Sequence, residues 1–113
     1  MTKKHMRVMM EEMFFPAILK TRDSGQEEYA HDEANVFANF ERVGNTLGVE
    51  RAKVLMVYML KHIDGIVSYV DGHKSQREEV GGRITDAIVY LLLLWGMIEE
   101  DKYHENKEDT EKG

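Results

Sequence analysis

Glu79, Arg83, Asp86 and Tyr90 recur at i, i+4, i+7 and i+11, so in a helix all four fall on one stripe. A second polar cluster, Tyr58, Lys61, His62 and Asp64, interrupts an otherwise apolar stretch, and Asn35, Asn39 and Arg42 share a face beside Phe40. Charged side chains are rarely buried alone, because removing an isolated ion from water costs several kcal/mol. Charged stripes on central helices therefore face each other or a ligand. One reading is an internal ion-pair network, Lys61 with Asp86 and Arg83 with Glu79. The other is a site for a phosphate-bearing small molecule. In it Glu79, Asp86 and Asp64 hold Mg2+ through carboxylate oxygens, Lys61, His62 and Arg83 take phosphate oxygens, and Asn39 and Tyr90 border the substrate.

Other chemistries find no residues to carry them. The chain has no cysteine, which excludes disulfides, thiolate metal sites and a cysteine nucleophile. Its five histidines include no i, i+4 pair for a zinc site, and Ser24, Ser68 and Ser75 lack a nucleophile elbow or a neighbouring base. Gly81-Gly82 builds neither a dinucleotide fingerprint nor a P-loop. With 15 basic against 21 acidic residues the net charge is -6, and no basic stripe interleaved with aromatics appears, so duplex nucleic acid is an unsuitable partner.

The elements that must position these residues are all helical. Thr2 is a candidate N-cap for a short helix to about residue 14, and Met6, Met9, Met10 and Met13 on its side read as adaptable core or interface filler. Pro16 opens a second short helix through Lys20. The spacing of Val36, Phe37, Phe40, Val43 and Leu47 predicts a third helix from Asp32, its cap, to a terminator at Gly48. A fourth, from Glu50 to Val70, and a fifth, from Arg77 to Glu100, are apolar over most of their circumference, so both must be central.

The 113 residues, 42% apolar and 32% charged, suit one all-α domain, a bundle of four to five helices over residues 1–103, with 104–113 as a charged, unstructured tail. Two apolar helices exceed what three short ones can cover, which predicts a homodimer or homotetramer. The uninterrupted apolar run Ile88 to Ile98 is about half the roughly 20 residues of a membrane span, and the lysines at the N-terminus precede acids rather than a cleavage site. The expectation is a cytoplasmic protein without a membrane partner.

Tyr29-Ala30, the segment Asn35-Val36-Phe37-Ala38-Asn39-Phe40, the tripeptide Lys61-His62-Ile63, and Glu79 with Arg83-Ile84-Thr85-Asp86-Ala87-Ile88-Val89-Tyr90 together resemble small phage-type nucleotide-modification-associated domains. These are similar to the all-α NTP pyrophosphohydrolase (MazG-like) superfamily. The resemblance spans about Tyr29 to Ile98 and implies an oligomeric helical bundle, in the host cytoplasm if phage-encoded, that cleaves nucleoside triphosphates to monophosphate and pyrophosphate with Mg2+. It implies Asp86 as the motif aspartate, with Asp64 as a second metal ligand and Glu79 displaced by one helical turn; in such a hydrolase Lys61 or Arg83 would be the catalytic cation that stabilises charge on the phosphoryl group. The sequence departs from the family's acidic motif where Arg83 and Lys61-His62-Ile63 stand. The alternative is a nucleotide-binding or sequestering protein on the same bundle, in which Lys61, His62 and Arg83 hold phosphate directly; a third reading is a helical interaction module.

Overall fold

The structure, a computed structural model, describes residues 1–25, 34–75 and 77–112. Those residues form helices and turns with no strand among them, as the periodicity requires. The Thr2 hydroxyl accepts from the His5 N–H at 3.0 Å and starts α1, Lys3–Met9. The chain does not break at Pro16. Instead a π turn, Met10–Phe14, runs directly into α2, Phe15–Gly25. A proline ring clashes with the carbonyl four residues earlier, here Glu12, and a widened turn at that point absorbs the misfit without ending the helix. The expected second helix opening at Pro16 is thus a continuation of the first. Met6 and Met13 are exposed on it, so they are not core of this chain.

The third helix starts later than its apolar spacing suggests: α3 is Ala38–Leu47, and the expected cap Asp32 lies outside the described residues. The turn before it is built by Asn35, whose Oδ1 accepts from the Phe37 N–H at 3.0 Å while its Nδ2 donates to Glu41 Oε1 at 2.8 Å. Gly48 ends α3 in the left-handed region, φ 72°, as expected. From there α4 runs Arg51–Val70 and α5 Val80–Lys112.

α4 packs along α5, α3 lies on α4 and α2 on α5. Phe37, Phe40, Val54, Leu55 and Met97 form the core where α3, α4 and α5 meet. Arg51 ties the same three helices together, with Nη1 at 2.8 Å from Glu41 and 2.9 Å from Glu100, Nη2 at 3.1 Å from Asp101, and its guanidinium 4.9 Å from the Phe37 ring centre.

The molecule is elongated, 54 × 35 × 26 Å, with a radius of gyration of 17.1 Å, against about 13 Å for a compact chain near this length. Much of the apolar circumference of α4 and α5 stays in solvent, including Val57, Val67, Val70, Leu91, Leu92 and Trp95. Between Val80 and Lys107 an 18-residue window reaches a mean hydropathy of 1.4, enough by length and composition for a membrane span, although the uninterrupted apolar run Ile88 to Ile98 within that range is shorter. The tail also differs from its expected lack of structure, since α5 continues through it to Lys112. Glutamate and lysine are good helix formers, so a helix already nucleated upstream extends through them while its side chains at 99–107 stay exposed.

Candidate functional site

The helices leave a cleft of about 430 Å³ between α2, α3, α4 and α5. Residues three or four apart on a helix share a side, so Tyr58, Lys61 and His62 enter it together from α4, and Asp86 and Tyr90 from α5. Asn39 and Phe40 enter from α3, Thr21 and Arg22 from α2, and Glu78 from the bend before α5. Against the cleft's mouth an apolar annex of about 200 Å³, lined by Ile18, Leu19 and Leu92, shares Arg22, Val89 and Leu93 with it.

One wall is aromatic. Tyr58 and Tyr90 stack with centres 6.5 Å apart, Phe40 meets them at 6.0 and 6.2 Å, and the His62 ring lies 5.8 Å from Tyr90. Beside that wall His62 sits between two carboxylates: Nδ1 is 3.8 Å from Glu78 Oε2 and Nε2 is 3.6 Å from Asp86 Oδ2. Both separations exceed hydrogen-bond length. His62 is 9% exposed and its Nδ1 is buried with no hydrogen-bond partner among the described residues. Burial raises the Asp86 carboxyl above its ordinary pKa, His62 draws it back down and Glu78 pushes it up again.

Of the residues singled out by sequence, Asn39, Tyr58, Lys61, His62, Asp86 and Tyr90 line the cleft. The expected pairs are replaced: Asp86 faces His62 rather than Lys61, and Arg83 Nη1 lies 4.0 Å from Glu78 rather than pairing with Glu79. Asp64 is exposed and outside the cleft, because two residues from His62 is about 200° around a helix. Glu79 is likewise exposed and outside it; α5 begins at Val80, so Glu79 never joins the stripe of Asp86. Arg83 does not line the cleft, and its Nη1 lies 4.0 Å from Glu78 Oε2, at ion-pair range. Glu78, Thr21 and Arg22 were missed. Adjacency to Glu79 was the sole sequence signal for Glu78, and nothing local marked the α2 pair.

The chain matches no family model, no curated protein and no solved structure. The site therefore stands on its own geometry. His62, Glu78 and Asp86 each offer one ligand atom within 4.8 Å of the others, a set suited to one divalent ion. For Mg2+ the fit is poor, since that ion prefers an all-oxygen octahedron and this set contains an imidazole.

Proposed function

We propose that the protein binds a nucleoside polyphosphate in this cleft and hydrolyses its phosphoanhydride, releasing pyrophosphate in the manner of the family it resembles. The observation that carries the reading is the aromatic wall of Phe40, Tyr58 and Tyr90 lying directly beside the His62, Glu78 and Asp86 cluster. A base has a π face to stack on the wall, and a volume of about 430 Å³ is that of an ordinary small-molecule site. Lys61 and Arg22 face the same space and supply cations for phosphate oxygens. Glu78 and Asp86 would repel those phosphates unless a cation stood between them; a divalent ion held there supplies that neutralisation and an acidified water. Asn39 is pinned as the acceptor of a 2.8 Å bond from Arg42 Nη2, which leaves its amide N–H groups to donate to a ligand.

Binding without hydrolysis is favoured by one specific observation, that among the described residues two carboxylates converge in the cleft while Asp64 and Glu79 face elsewhere. Incubating the purified chain with a mixture of nucleoside triphosphates and divalent ions separates the readings. Monophosphate and pyrophosphate as products support hydrolysis, retained intact nucleotide supports sequestration, and neither would overturn both. The same proposal includes a homo-oligomer, for which the exposed apolar sides of α4 and α5 are the support, and takes it to be cytoplasmic.

A further inference from the structure

We infer that His62, Glu78 and Asp86 form a binding site for a first-row transition-metal dication in preference to Mg2+, with the His62 Nδ1 atom as the selecting ligand. It shares its place with the proposed nucleotide site but does not need a nucleotide to exist. Three observations converge on it.

First, an imidazole nitrogen of the cleft lining is buried without a hydrogen-bond partner among the described residues. A buried, unsatisfied nitrogen is costly; Glu78 stands 3.8 Å from it and Asp86 stands 3.6 Å from the other ring nitrogen, Nε2, neither at hydrogen-bond distance. A cation held by Nδ1 and Glu78 satisfies that nitrogen, and Asp86 is close enough to turn toward it, since one ligand atom from each of the three residues lies within 4.8 Å of the others.

Second, the spacing is nearly right for it. Ligand atoms sharing an ion at about 2.1 Å stand about 3 to 3.4 Å apart, and Nδ1 stands 3.8 Å from Glu78 Oε2. Glu78 is about half exposed and lies on the bend before α5 rather than in a helix, so its side chain can swing inward by the remainder.

Third, the donor set discriminates. Two carboxylate oxygens alone would accept Mg2+, but a neutral imidazole adds far more to binding of Mn2+, Fe2+, Co2+ or Zn2+ than to Mg2+, which sheds water reluctantly and favours oxygen. The Arg83 guanidinium lies 4.0 Å from the same Glu78 Oε2 that faces His62 Nδ1, close enough to orient that carboxylate.

The test is metal binding by the full chain, stripped with a chelator and kept free of nucleotide, using Co2+ and Mn2+ as probes and Mg2+ as competitor. Visible Co2+ absorption and a melting temperature raised by Co2+ or Mn2+ at micromolar concentration are expected, with millimolar Mg2+ failing to displace either. His62→Gln should lose the Co2+ spectrum. Because His62 is packed against Tyr90, Glu78→Gln serves as the second variant: it should melt as the metal-free protein does and bind Co2+ at least about tenfold more weakly. Displacement of Co2+ by Mg2+ at equal concentration, or unchanged Co2+ affinity in Glu78→Gln, would overturn the inference. Loss of nucleotide binding with metal uptake intact would instead overturn only the nucleotide reading.

Discussion

The side chain of Arg83 lies in the notch left by Gly65: a Cβ on Gly65 would fall 2.6 Å from Arg83 Cδ, Nε and Cζ. α4 thus gives up a side chain in its C-terminal half so that a cation from α5 can cross it toward Glu78. Gly65→Ala must dislodge Arg83, yet alanine is the better helix former by about 1 kcal/mol. The two effects on stability offset, so the melting temperature should stay within a few degrees while affinity for ligands of the cleft drops about tenfold. Denaturation set beside binding measurements on the same variant checks this; unchanged affinity would show that Arg83 does not position Glu78.

Asp86 should make stability depend on pH with a definite sign. Burial is the main cause of its raised pKa, opposed by His62 and reinforced by Glu78, so the folded state holds this proton more tightly than the unfolded chain. Ionising Asp86 therefore costs stability: the cost is complete above its folded pKa and is relieved as pH falls through that value toward the unfolded one. Metal-free Asp86→Asn should melt at or slightly above the wild type at neutral pH, by no more than about 1 kcal/mol given the carboxylate's partial exposure. The gap should close as pH approaches about 4. A loss of about 3 kcal/mol instead would mark Asp86 as the structural partner of His62.

Arg51 is the joint between α3, α4 and α5. Its side chain is 16% exposed and serves Glu41, Glu100 and Asp101 together. Arg51→Ala leaves three carboxylates facing one another and uncovers Phe37, which predicts a loss of about 2 kcal/mol by urea denaturation. Arg51→Lys should recover less than half, because a single ammonium cannot span the three partners as a planar fork does.

Leu91 and Trp95, one turn apart on the outer side of α5, are 51% and 63% exposed. If that side is covered by a second copy of the chain, glutamate at both positions should convert the protein to monomer in sedimentation at micromolar concentration while the helical signal persists. A wild-type chain that sediments as a monomer would remove the oligomer from the proposal.

Helical class was legible from residue spacing, and so were the Thr2 start, the Gly48 stop and six of the cleft's polar residues, Asn39, Tyr58, Lys61, His62, Asp86 and Tyr90. All of these follow from local rules: a cap needs its own first turn, and a stripe needs only 3.6 residues per turn. What periodicity does not set is where a helix begins and how far it rotates against its neighbours. α5 starts at Val80 rather than Arg77, and that shift puts Glu78 on a free bend that turns into the cleft while Glu79 is left in solvent. The rotation of α4 brings His62 inward and sends Asp64 out, though both are polar residues in the same apolar run. Arg22 and Thr21 reach the site because α2 packs on α5, a contact between segments far apart in sequence that no local pattern encodes. The His62, Glu78 and Asp86 cluster is a product of that packing, since its members come from two helices and the bend between them and meet only when α4 and α5 close on each other.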